Sequence, residues 1–271
     1  MFAHFHARAA TLEHPSWRLM FLAPLALIGS AEAHSPFLLP NLFDLDKREH
    51  VTVIGSFTEE FFSPDVVMKS DDYHVVGPDG ARRPLTPVYT RDMAVLEAET
   101  KEQGTYRIST GRRTGRTAKA AWVQGDWKFL APNEAAPAGS RVYDVTSVTV
   151  AETYVTRGKP SQPALTPRNS GLEFRAITHP SSFFVGSDAK FQVLFDGKPV
   201  ASQVISVYAG EARYSLQKAP VEVKASAAGE FSIKPDRSRV FVVMTRYRPE
   251  PAAAGKEGVS YTYSLVFEAT D

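Results

Sequence analysis

Short runs in which apolar and polar residues alternate recur along most of the chain, and sustained helical spacing is absent from residue 34 onward. The run at 50–57, HVTVIGSF, has the period of two expected where successive side chains point to opposite faces of a sheet. The same signal at 73–76, 93–98, 103–110, 172–177, 189–195, 204–208, 221–224, 229–233, 240–244 and 261–268 predicts further short strands. Residues 142–155 are rich in β-branched side chains and predict another. Between the runs, Gly77-Pro78-Asp79-Gly80 and Asp196-Gly197 are turn chemistry, Pro presetting φ and Gly accepting φ > 0. Strands at about ten-residue spacing predict an all-β fold: two immunoglobulin-like or transthyretin-like β-sandwich domains. The expected boundary lies near Asn169, after the loop 161–170, giving domains at 34–168 and 169–271.

One stretch departs from the strand pattern. Arg8 and Arg18 precede an apolar run at 19–28, and Ala31-Glu32-Ala33 follows it. A basic region, a short apolar segment and a small-x-small triplet predict a secretory leader, 1–33, cleaved after Ala33. The expected product is periplasmic and begins at His34. A membrane span needs about 20 apolar residues; this run is about half that and contains Pro24, so no span is expected in the mature chain.

Cysteine is absent, which excludes disulfides, thiolate zinc sites, a cysteine nucleophile and a lipid-bearing cysteine anchor. A net charge of +1 gives no electrostatic footprint for nucleic acid. The basic segment 111–120, GRRTGRTAKA, lacks interleaved aromatics and reads as an exposed, mobile hairpin loop. Trp122 and Trp127 flank Gln124-Gly125-Asp126 and are expected to pack on one face or at a domain edge. No Gly-x-Ser-x-Gly elbow and no phosphate-cradling glycine loop is present, and the chain is expected not to be an enzyme.

Cleavage after Ala33 gives His34 a free α-amine beside its imidazole, and two such nitrogens can chelate one ion. A second imidazole makes a three-nitrogen set suited to Cu(II) or Ni(II). Of His50, His74 and His179, the first partners to consider are His179, in the turn Thr178-His179-Pro180, and His74, beside Asp71 and Asp72. Each has a bland counterpart: a turn histidine bonded to backbone, and a packed or solvated strand histidine. The square-planar peptide mode needs His at the third position, where this chain has Pro36.

The leader ending in Ala33-His34, Val76 to Gly80, Gly104-Thr105-Tyr106, Glu152 to Pro160, Gly171 to Glu173, Thr178 to Pro180 and Val193 to Val200 resemble the DUF4198 family of exported bacterial proteins, related to the periplasmic NikM/NikK-type components of nickel and cobalt uptake. That resemblance implies a metal role for the mature N-terminal His34. The resulting expectation is a periplasmic protein that binds a transition metal ion (Ni, Co or Cu) or a metal complex and passes it to an inner- or outer-membrane metal transporter. The alternative is a non-catalytic interaction module for a protein or polysaccharide at the cell envelope. A metal-dependent oxidative enzyme built on His34 is a third possibility.

Overall fold

The computed structural model describes residues 34–210, 219–252 and 255–271, so the expected leader lies outside the described residues. In chain order the strands of the first half are β1 (Ser35–Pro40), β2 (His50–Thr58), β3 (Val66–Val67), β4 (His74–Val76), β5 (Arg82–Pro84), β6 (Val88–Tyr89), β7 (Ala94–Glu99), β8 (Gly104–Ser109), β9 (Arg113–Val123), β10 (Asp126–Phe129) and β11 (Val142–Arg157). Those of the second are β12 (Leu172–Ala176), β13 (Ala189–Phe195), β14 (Lys198–Pro199), β15 (Val204–Ala209), β16 (Val221–Lys224), β17 (Glu230–Ile233), β18 (Arg239–Tyr247) and β19 (Glu257–Ala269). The helical residues described are two single 3-10 turns, Pro163–Leu165 and Pro180–Ser182. No helix among the described residues is long and apolar enough to cross a membrane.

Three sheets form from these strands. The first runs β1-β2-β7-β6 with β3 on β2, and the third runs β12-β13-β14 with β17 on β13. Between them the largest sheet follows the order β16-β15-β18-β19-β11-β8-β4-β5, with β9 on β11 and β10 on β9. Its centre is the parallel pair β11 and β19, in register from Asp144 with Glu257 to Thr153 with Val266. Parallel strands are stable where both faces are covered. On β11, Val150 and Tyr154 face the core under the third sheet, while Ala151 and Val155 face the core under the first. On β19, Leu265 and Phe267 take the former side and Val266 takes the latter.

The chain therefore holds two sandwiches on opposite faces of one shared sheet. The boundary expected near Asn169 falls in the β11–β12 loop, but the halves 34–168 and 169–271 are hydrogen-bonded along the β11–β19 ladder and share a core. Val76, Val150 and Tyr154 of the first half pack with Phe174, Phe191 and Leu265 of the second.

Two local expectations meet different outcomes. Asp196-Gly197 joins β13 to β14 with Phe195 opposite Lys198, and positive φ at both residues (49° and 73°) makes the two-residue turn anticipated. Most of the segment expected as a mobile loop is instead strand β9, paired with β11 from Val142–Ala121 to Thr149–Arg113. Its Gly and Arg content signalled a loop, but β11 offers an edge that its backbone donors and acceptors satisfy. The Arg113 guanidinium also stacks 4.8 Å from the Phe57 ring centre. Trp122 and Trp127 pair across the β9–β10 hairpin with ring centres 4.6 Å apart.

Candidate binding cleft

Buried charges are costly unless paired, and three from strands and one from a loop converge here. All six residues of β8 (GTYRIS) are buried, including Arg107. Glu152 lies among buried neighbours of β11, Glu173 is buried on β12, and Arg168 reaches in from the loop between them. The β11–β8 register sets Tyr154 opposite Arg107, which brings Arg107 beside Glu152.

Glu152 is the hub. Tyr263 of β19 donates its hydroxyl to Oε2 at 2.6 Å. Arg168 Nη1 lies 3.4 Å from Oε1 and Arg107 Nε lies 3.9 Å from the same oxygen, ion-pair contacts rather than hydrogen bonds. Burial by itself would push this carboxyl up, but Arg168 and Arg107, helped by Tyr263, outweigh it and hold the pKa down at about 2. Burial pulls the two arginines down as well, and Glu152 together with the buried tyrosines (Tyr154 and Tyr263 at Arg107; Tyr263, with Glu173, at Arg168) more than reverses it. Glu173 completes the set by accepting the backbone N–H of Arg168 and of Asn169, each at 2.8 Å. Arg107 Nη1 donates to Thr166 O at 3.1 Å, and Arg168 Nη2 to Leu172 O at 3.1 Å, so both arginines also pin the 163–172 loop.

Above this network lies a cavity of about 480 Å³, bounded by β4, β5, the 163–172 loop, β11 and the start of β19. Its lining includes the apolar Val76, Val148, Val150 and Leu172 and four arginines, Arg82, Arg107, Arg112 and Arg168, together with His74 and Asp72. Arg82 pairs with Asp72. Arg112 is exposed and has no ion-pair partner among the described residues.

The three histidines singled out from the sequence lie in different settings. His34 is exposed and immediately precedes β1. His74 is buried on β4, where Nδ1 sits 2.7 Å from Asp72 O, which only accepts, and 3.3 Å from Arg82 Nη2, which only donates; the shorter contact puts the proton on Nδ1 and the lone pair on Nε2. Burial is the main cause of its lowered pKa, so the ring is neutral near pH 7. His179 caps the turn Pro180–Ser182: Nδ1 accepts from Ser181 N–H at 3.2 Å, while Nε2 lies 3.1 Å from Ser161 O and 3.2 Å from Thr105 Oγ1. Both its ring nitrogens are engaged, Nδ1 within its own turn and Nε2 in tying Ser161 to Thr105 of β8. Among the described residues no three His, Cys, Asp or Glu side chains form a group able to hold a metal ion.

Reading the sequence for metal chemistry passed over Arg107, Glu152, Arg168 and Glu173. A signal for them exists: Arg107 and Glu152 are lone charges at positions where flanking residues make an otherwise buried strand, as are few other charges in the chain.

Fold and cleft define an all-β sandwich protein with a small-molecule-sized site over a buried ion-pair network. More narrowly, the chain belongs to the DUF4198 family, a domain of unknown function whose family model matches residues 31–248. No curated protein matches it. Among solved structures it is similar to the D0-D1 domain of intimin (11% identity, 85% of this chain and 96% of that chain, TM-score 0.20). It is also similar to the Yersinia pseudotuberculosis adhesin InvE (10% identity, 84% of this chain and 58% of that chain, TM-score 0.17). At such scores neither likeness bears on function, and the fold rests on the strands and sheets described above.

Proposed function

We propose that this chain is an exported, non-catalytic binding protein that holds a small molecule in the cleft beside the 163–172 loop. The observation that carries this reading is the cavity itself: about 480 Å³, with apolar side chains and four arginines in its lining, within the range of roughly 300–1,000 Å³ usual for small-molecule sites. Its carboxylates are paired rather than poised for proton transfer, since Glu152 is held ionised by two arginines and Asp72 forms an ion pair with Arg82. The sequence leader supports an envelope location.

The test is a small-molecule panel screened by saturation-transfer NMR against the full chain, expressed with its leader and purified as processed. A Ser170→Trp variant is run in parallel. Ser170 is exposed and lines the cavity, so a bulky ring there plugs the opening without disturbing the core. Binders that the variant loses are the expected result. A panel without binders, or binders indifferent to the plug, would overturn the reading in favour of contacts made by the outer surface.

A transition-metal role keeps one support: His34 is exposed next to β1, so cleavage after Ala33 would present its amine and imidazole together. His179 does not fit as a partner while both its nitrogens are engaged, and His74 has only Nε2 to offer. Transfer to a membrane transporter would follow from this reading alone. Calorimetric titration with Ni(II) is expected to show binding by protein starting at His34 that weakens at least tenfold when one Ala precedes it. Equal binding by both forms removes the N-terminal chelate.

A further inference from the structure

The cleft carries a charge imbalance that narrows what it can hold. Four guanidiniums line it, and three carboxylates face them: Asp72 on Arg82, and Glu152 and Glu173 beneath Arg107 and Arg168. One positive charge is left over, and it stands on Arg112, the one arginine of the four without a carboxylate. Asp196 accepts the Gly171 N–H from outside the loop and does not line the cavity. Arg107 is the least compensated of the buried pair, with its nearest carboxylate oxygen 3.9 Å away and its Nε without a hydrogen-bond partner. Arg112 itself is exposed, but Arg107 and Arg168 are buried or nearly so and act through a lower effective dielectric than a cation on an open surface, so their field adds to its pull on an anion in the cleft.

The apolar part of the lining sets a second condition. Val76, Val148, Val150 and Leu172 offer no hydrogen bonds, and a small inorganic anion would leave them facing empty space or water. A ligand that satisfies both conditions has an apolar body and a single negative group.

We infer that the cleft binds an organic monoanion, a carboxylate whose apolar body lies on the valine and leucine side chains while its charged end meets Arg112. This rests on the cleft being the binding site. The carboxylate accepts from the Arg112 guanidinium in the paired geometry that arginine offers to carboxylates. Arg107 and Arg168 contribute field rather than contact, because Glu152 and the loop carbonyls already engage them.

The experiment is calorimetry on the full processed chain with 4-phenylbutyrate, its neutral counterpart 4-phenylbutyramide, and inorganic phosphate, each with wild-type, Arg112→Gln and Ser170→Trp protein. The acid is expected to bind at least tenfold more tightly than the amide. Arg112→Gln should weaken the acid about tenfold and leave the amide unchanged, since the side chain is exposed and its loss does not touch the core. Phosphate should bind at least tenfold more weakly than the acid. Amide binding equal to acid, or acid binding indifferent to Arg112→Gln, overturns the monoanion while leaving the cleft as the site. Phosphate binding as tightly as the acid removes the apolar body from the inference. Failure of acid and amide to bind, or binding of both that Ser170→Trp does not affect, overturns the cleft reading and this inference with it.

Discussion

Glu152→Gln is expected to cost about 3–5 kcal/mol of folding stability, the loss typical when one partner is removed from a buried ion pair. The amide preserves the volume and can still accept from Tyr263, so the loss measures charge rather than a cavity. Two guanidiniums, one on β8 and one in the 163–172 loop, would be left with Glu173 as the one carboxylate beneath the cleft. For a chain of this size the melting temperature should fall by about 10 °C, read by circular dichroism beside urea denaturation. The pH dependence has a definite sign. The Glu152 carboxyl is depressed to about 2 from an ordinary value of 4.5, so its stabilisation is complete above the ordinary value. It is lost as pH falls from there through about 2. The gap between wild type and Glu152→Gln should therefore narrow across that window and be constant above it. A variant within about 1 kcal/mol of wild type at pH 7 would show that the network contributes little. Replacing Arg107, Glu152 and Arg168 by methionine, with Glu173→Gln so that no lone carboxylate is left buried while the Arg168 and Asn169 N–H groups keep an acceptor, separates structure from binding. Buried ionic triads exchanged for apolar residues of similar volume often lose no stability. Such a protein should fold yet bind the anion more weakly.

Local elements were readable from the chain because they depend on near neighbours. The alternation at 50–57 became β2, and Asp196-Gly197 became a two-residue turn, each decided by side chains within a few positions. The β11–β19 ladder was not readable, since it joins Asp144 to Glu257 across the whole second half of the chain. That pairing makes the two expected sandwiches share one sheet. Segment 113–123 shows the same limit from the other side: a composition suited to a loop was overridden by an available partner edge. At the site, the histidines drew attention because their chemistry is conspicuous in isolation. Arg107 and Glu152 were visible as charges in otherwise apolar runs, but what they meet depends on the β8–β11 register and on a loop that folds back to supply Arg168. A buried charge can be suspected from sequence; its partner is a tertiary fact.

Phe37→Ala is expected to destabilise the chain by about 3–5 kcal/mol, as for other fully buried phenylalanines cut back to alanine. Phe37 has no exposed surface although it belongs to β1, an edge strand bracketed by Pro36 and Pro40. Its ring meets Phe61 and Phe62 edge-on at 6.0 and 5.3 Å, and it packs with Val242 of β18 and Val266 of β19. Beside it, Ser264 Oγ donates to Pro36 O at 2.7 Å. The first strand of the described chain is thus keyed into the last, and the loss should be felt by both halves. Denaturation followed by tryptophan fluorescence, reporting on Trp122 and Trp127, and by circular dichroism should give one coincident transition in wild type and variant, shifted as a unit. Two separate transitions, with only the first-half tryptophans responding to Phe37→Ala, would mean that the two sandwiches fold independently despite their common sheet. One transition follows if the ladder between β11 and β19 couples them, because neither sandwich can lose its half of that sheet without exposing the core of the other.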